Sequence, residues 1–349
     1  MVSFDLFLET LQANPFLAIV MVLVLGTIFV NGATDAANAI AESVGTRSIG
    51  VDAAIAMSVA CNFVGLVAMT MVSTAVADTI SGMVDFGGDS HAALIALAAA
   101  TVGIVAWGLG AWVFGIPTSE SHALIAGLTG AALAVHGDLG GVNGGEWVKV
   151  VYGLVLSTVL GFAAGWVITY VIQVACKNVD RRRADETFGK LQVLGSAFVA
   201  LMHGAQDGQK FMSTAMLAIA LSVNLGIEQM GGFPLWIEVL CAAIMAIGTA
   251  VGGKKIIKKV GMEMAELEKY QGFAASISAS ISLLIATLTG LPVSTTHTKT
   301  AAIMGAGAAK SVRSVKWEVA KEMAMTWIFT FPGCGVIGFV LAKLFLVWF

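Results

Sequence analysis

Long apolar stretches separated by short polar ones organise this chain. Runs of about 20 apolar residues, the length that crosses a hydrocarbon core, mark five candidate spans in the first half: near Phe16 to Ala41, Asp52 to Ala77, Ala92 to Gly115, Ser121 to Val135, and Val148 to Ala175. Five more follow near Leu191 to Ser222, Leu235 to Gly252, Gly272 to Gly290, His297 to Ala309, and Met323 to Leu346. The fourth and ninth are too short for a helix crossing a core of about 30 Å. They predict half-helices or re-entrant hairpins whose tips lie inside the membrane.

Composition agrees with that pattern. With 58% hydrophobic and 12% charged residues and a mean hydropathy of +0.88, the chain is expected to be an all-α polytopic membrane protein. Cys61, Cys176, Cys241 and Cys334 lie scattered in apolar segments without metal-ligand or CxxC spacing, so they read as small packing residues. The N-terminus lacks the basic region of a signal peptide, and its first apolar stretch is expected to stay as a span. Net charge says little here, but the placement of basic residues says more. Fifteen of the nineteen Lys and Arg fall on one side of the spans, in four groups: Arg47; Lys177, Arg181 to Arg183 and Lys190; Lys254, Lys255, Lys258, Lys259 and Lys269; and Lys310, Arg313, Lys316 and Lys321. That side is predicted to be cytoplasmic. Both termini are then expected outside.

Two motifs occur twice. Gly32-Ala33-Thr34-Asp35-Ala36-Ala37-Asn38 returns as Gly204-Ala205-Gln206-Asp207-Gly208-Gln209-Lys210, offset by 172 residues. Gly115-Ile116-Pro117-Thr118-Ser119-Glu120-Ser121-His122 returns as Gly290-Leu291-Pro292-Val293-Ser294-Thr295-Thr296-His297, offset by 175. Duplication at one spacing implies two equivalent halves. Five spans per half make the second half enter from the opposite side, which predicts inverted-topology repeats over 1–175 and 191–349, joined by a basic cytoplasmic linker at 176–190.

Polarity intrudes on the spans at these motifs. Asp35 with Asn38, and Asp207 with Lys210, lie one helical turn apart, and a carboxylate inside a span costs a few kcal/mol unless paired, hydrated or bound to a cation. They would otherwise be helix-end residues reaching the interface, or Asp207 would be satisfied by Lys210 or His203. Pro117 and Pro292 break the preceding segments, and Ser119 or Ser121, and Ser294 or Thr295, can cap the helices that follow. Two such helix starts facing inward, with hydroxyls from Thr118, Ser119, Ser121, Ser294, Thr295 and Thr296, would suit one tetrahedral oxyanion. Ordinary capping is the alternative. Glu120, Glu42, His122 and His297 could carry protons, ligate a cation or support the site. Lys210 and Lys299 could meet an anion or neutralise a carboxylate.

The paired Gly-Ala-x-Asp and Pro-x-Ser-x-x-His motifs, and their order, resemble the inorganic phosphate transporter (Pit) family over Asn31 to about Lys310. The resemblance implies a phosphate symporter driven by a sodium or proton gradient, built from inverted repeats and forming a homodimer. It implies that Asp35, Asn38, Asp207 and Gln209 form the cation and phosphate floor, and that Ser119, Ser121, Ser294, Thr295 and Thr296 hold phosphate. Thr34, Gln206 and Gly208 depart from the family's usual Asn, Asn and Ala. Phosphate also keeps a proton that a carboxylate can accept, which sulfate lacks. Sodium is the expected coupling ion, because Asp35, Asn38, Asp207 and Gln209 offer oxygens beside helix breaks whose freed carbonyls can complete a hard-cation shell. A proton-coupled symporter and a sulfate or other oxyanion permease are the alternatives. A channel lacks a filter motif or charge ring, and an enzyme lacks a nucleophile and base constellation. Neither a nucleic-acid partner nor a cofactor other than the coupling ion is expected. The location is expected to be the plasma (inner) membrane.

Overall fold

The computed structural model describes residues 2–114, 118–263, 267–315 and 317–349. Helices α1 (Phe4–Ala13), α2 (Phe16–Thr34), α3 (Ala41–Gly45), α4 (Val51–Val72), α5 (Ala75–Ser81), α6 (Ser90–Phe114), α7 (Glu120–His136) and α8 (Gly144–Ala175) fill the first half. The second half holds α9 (Arg181–Ser222), α10 (Leu235–Glu263), α11 (Lys269–Leu288), α12 (Thr295–Lys310) and α13 (Trp317–Trp348). Apart from one isolated bridge between Val84 and Val142, the described residues hold no β structure.

Among the described residues, seven helices, α2, α4, α6, α8, α10, α11 and α13, contain stretches long and apolar enough to cross a membrane. The outer faces of α8 (Val151, Tyr152, Val155, Val159, Trp166) and α13 (Ile328, Phe329, Val336, Val340) are exposed and apolar, as a lipid-facing surface requires. Inside lies an apolar core in which a number of polar side chains, Asp207, Lys210, Glu120, Glu42 and Lys299 among them, are also buried. This is an integral membrane protein. Helices α7 and α12, of 17 and 16 residues, reach only about 25 Å at 1.5 Å per residue.

Packing pairs the two halves crosswise. Helix α7 packs on α13 and α12 on α8; α2 packs on α10 and α9 on α4; α6 touches α7 and α13 as α11 touches α12 and α8. Glycines at matching places permit the closest of these approaches. A Cβ on Gly32 would lie 2.3 Å from the Met245 carbonyl of α10, and one on Gly204 would lie 2.1 Å from the Asn62 carbonyl of α4. Likewise a Cβ on Gly130 would meet Gly335, and one on Gly305 would meet Phe162, each at 2.0 Å from a carbonyl oxygen. The glycine of each Gly-Ala-x-Asp motif is therefore needed for helix contact.

Two backbone details differ from the expectation drawn from sequence. The first span, expected to run to Ala41, ends sooner: α2 stops at Thr34 and a 3-10 turn at Ala36–Ala39 leads into α3. The equivalent break expected beside Asp207 is absent. Helix α9 runs 42 residues without interruption, held through that point by a pair one turn apart, Asp207 and Lys210,. Its start is fixed by Asp180, whose side chain accepts from the Arg183 amide at 3.1 Å, so most of the basic linker is helical. The side chains of Lys254, Lys255, Lys258 and Lys259, and all of Lys316, lie outside the described residues.

Candidate functional site

The starts of α7 and α12 meet at the middle of α9. Ser119 and Ser294 are the N-caps, accepting from the His122 amide at 3.4 Å and the His297 amide at 3.2 Å, which satisfies one first-turn donor in each helix. The His122 and His297 rings stand 5.1 Å apart. From the two first turns, Ser121 donates to Asp207 Oδ1 at 3.1 Å and Thr295 donates to Asp207 Oδ2 at 3.0 Å. Pro292 lies in the turn before Ser294; Pro117 lies outside the described residues.

Asp207 and Lys210 are completely buried. The Lys210 ammonium spends its three protons on Asp207 Oδ1 (2.7 Å), Ser121 Oγ (2.9 Å) and the Val293 carbonyl (2.5 Å), leaving no donor idle. His203 Nε2 lies 3.1 Å from Asp207 Oδ2, and its Nδ1 donates to Asn62 Oδ1 at 2.8 Å. This half-site carries its own positive charge.

Across from it lies the first-half copy, around the end of α2. Asn38 donates to Thr296 Oγ1 at 3.0 Å, and the Thr296 hydroxyl bonds the Asp35 carboxylate. Applying the two offsets, Asn38 to Thr296 is the counterpart of Lys210 to Ser121, and Asp35 to Thr296 that of Asp207 to Ser121. Glu120, the counterpart of Thr295, is buried near both Asp35 and Asp207 and bonds the Thr34 hydroxyl. Asn31, the counterpart of His203, is fully buried beside Glu120. Neither Asp35 nor Glu120 has a bonded lysine or arginine among the described residues.

Other residues singled out from sequence lie elsewhere. Thr118 Oγ1 accepts from Trp107 Nε1 at 3.1 Å and shares a 3.3 Å contact with Thr330. Gln209 donates to the Ser73 carbonyl at 2.7 Å, because two residues along an α-helix from Asp207 points away from it. Lys299 is buried against Glu42 and Ser276, neutralising a carboxylate. Asn31 and Asn62 were not singled out. The offset that pairs Asp35 with Asp207 also pairs Asn31 with His203, so that signal was present.

Residues 31–338 match the phosphate transporter family. The chain belongs to this family. Family relatives include proteins named "probable low-affinity inorganic phosphate transporter". One from Bacillus subtilis is 33% identical, covering 92% of this chain and 94% of its own; one from Rhizobium meliloti is 34% identical, covering 95% and 96%. Among solved structures, one described as "The sodium-dependent phosphate transporter" has the same fold, with a TM-score of 0.83 at 22% identity, covering 96% of this chain and 100% of that one. The phosphate transporter family is one of membrane carriers, not enzymes.

Proposed function

We propose that this chain imports inorganic phosphate in symport with sodium, by alternating access between inverted repeats. The observation that carries the reading is the convergence of the α7 and α12 N-termini on Asp207. Helix starts offer unpaired amides and a positive dipole end. The first-turn amides of 120, 121, 295 and 296, with the hydroxyls of Ser119, Ser121, Ser294, Thr295 and Thr296, supply the donors that a tetrahedral anion would need. Phosphate arriving there draws Ser121 and Thr295 away from Asp207, which keeps Lys210 and His203. Its remaining proton can be donated to a carboxylate, a bond that sulfate has no proton to make. The names of the sequence relatives favour phosphate, and the sodium dependence of the solved relative favours sodium.

Asp35 and Asn38 offer sodium two side-chain oxygens beside the broken end of α2, where freed carbonyls can add to the shell. Asp207 completes the floor with a carboxylate common to both half-sites, while Gln209 supports it from the Ser73 side. The exchanged helix neighbours of the two halves support inverted repeats over 1–175 and 191–349. In this reading both termini lie outside the plasma membrane, the 176–190 linker lies in the cytoplasm, and the chain forms a homodimer. The test is uptake of labelled phosphate and sulfate into proteoliposomes under separately imposed sodium and proton gradients. Saturable phosphate uptake requiring sodium is expected; equal uptake on a proton gradient alone overturns the sodium assignment.

A further inference from the structure

Lys299 and Glu42 form a buried ion pair that the site around Asp207 does not use. Lys299 stands on α12 four residues after Thr295 and three after Thr296, so it shares the face that carries their hydroxyls, one turn of about 5.4 Å further toward Lys310. Its ammonium bonds Glu42 Oε1 and, at 3.0 Å, Ser276 Oγ. Ser276 in turn donates to the same Glu42 oxygen at 2.6 Å. A lysine has three protons to give, and Lys210 uses all of its own. Lys299 uses two among the described residues, and Glu42 Oε2 is buried there without a donor. The pair is closed but not saturated.

The fold does not require it. By the two offsets that relate the halves, the counterparts of Lys299 and Glu42 are Leu124 and Thr214, both completely buried and uncharged. Leu124 belongs to the main apolar core. A buried ion pair is commonly no more stabilising than uncharged residues filling the same space, and one half of this molecule fills it so. The surroundings differ as well, because on the Lys299 side a chain of polar contacts continues. Ser43, next to Glu42, bonds Ser196. Gln192, one turn before Ser196 on α9, accepts from the Thr46 and Ser48 hydroxyls at 2.8 Å each. Thr46 then lines a cavity of about 780 Å³ between the end of α8 and the starts of α9 and α11, where four basic and two acidic side chains also face the space.

We infer that Lys299 is a second, transient phosphate site, one turn from the first on a route to that cavity. This rests on the phosphate-symport reading and extends it to release. Phosphate leaving the starts of α7 and α12 meets an ammonium on a flexible four-carbon stem. The anion takes the unused Lys299 proton, and Glu42 Oε2 accepts the proton that phosphate keeps. Glu42 also competes for the ammonium, which keeps the stop weak, as passage requires. When the pair closes again the anion is freed toward Gln192 and the cavity. The half around Leu124 and Thr214 offers no such stop.

Equilibrium binding of radiolabelled inorganic phosphate to the purified full-length protein in nanodiscs tests this, with excess sodium present. Wild type is expected to hold one phosphate per chain and Glu42→Gln two, because the ammonium has lost its competitor. The double variant Glu42→Gln/Lys299→Met is expected to return to one. In proteoliposomes, phosphate on the release side is expected to inhibit Glu42→Gln at a concentration lower than for wild type by about tenfold or more. The double variant, which removes both charges, is expected to keep the wild-type Tm and phosphate affinity but to show a lowered maximal uptake rate. One phosphate in Glu42→Gln, or wild-type uptake in the double variant, makes the pair a structural contact and overturns the second site while leaving phosphate symport standing. A second phosphate that persists in the double variant lies elsewhere and overturns it too. No phosphate bound to wild type overturns both readings. Where Glu42→Gln does not fold, the uptake rate of the double variant decides.

Discussion

Asp35 and Asp207 are the same residue written twice, and the protein treats them differently. Asp207 sits in the middle of an unbroken helix, its oxygens bonded by Ser121, Thr295 and Lys210. Asp35 ends α2, where the backbone tightens into a 3-10 turn, and its bonded side-chain partner is the Thr296 hydroxyl. An internally paired carboxylate holds a structure together, whereas one without a fixed counter-ion leaves a place for a mobile charge. The two copies share one frame and differ at three paired positions, Asn31 against His203, Asn38 against Lys210 and Glu120 against Thr295, so one half-site has a built-in lysine and the other has none.

The sharpest way to break that contrast is to neutralise each aspartate in turn. Asp207→Asn strands the Lys210 ammonium in the interior and is expected to cost about 3–5 kcal/mol of stability, visible as a lowered Tm together with lost uptake. Asp35→Asn is expected to abolish sodium-stimulated uptake at unchanged Tm. Equal loss of Tm in the two variants would erase the distinction. Next in size, Asn38→Lys installs the second half's cation in the first half-site. Phosphate binding, followed by calorimetry, is then expected to become independent of sodium while sodium-driven uptake stops.

Smaller effects sharpen the picture at the helix starts. Ser119→Ala and Thr295→Ala each remove one hydroxyl from the anion space and are expected to weaken phosphate binding by about 1.5–3 kcal/mol. Unaltered affinity in both would assign these hydroxyls to helix capping and to Asp207 alone. Gly32→Ala and Gly204→Ala serve as a symmetric control, because each adds a Cβ against a carbonyl of a packed neighbour. Each is expected to destabilise by about 1–3 kcal/mol, read in chemical or thermal melts, and by similar amounts. A large difference between them would mean that the crosswise packing is not shared by the halves.

Much of this was legible in the residues. Apolar runs located each membrane helix but not all of its ends: α2 stops before Ala41, α9 starts well before Leu191 and α10 runs past Gly252, while the Pro-Ser motifs narrowed the caps to Ser119 or Ser121 and Ser294 or Thr295, of which Ser119 and Ser294 are the ones used. The break at Asp35 was not legible from pattern alone: Ala-Ala-Asn is compatible with helix, and only the comparison with Asp207, which has a lysine one turn on, supplies a reason for the difference. The family resemblance implies Gln209 as a ligand, and the position of Ser73, whose carbonyl accepts from the Gln209 amide, is not readable from sequence. The contact of Glu120 with Thr34 depends on how α2 meets the start of α7, a tertiary relation between residues 86 apart that no local signal encodes.

Helix α9 spans about 63 Å at 1.5 Å per residue, roughly twice the hydrocarbon thickness, and it does so without a hinge. Its exposed basic end, Arg181 to Arg183, and its buried Asp207 are thus two points on one rod. Tilting the rod by a few degrees about its midpoint would sweep the basic end through several ångströms while Asp207 barely moved. A spectroscopic label at Arg182 is therefore a pointer on a dial, amplifying at the surface a rearrangement too small to see at the site itself.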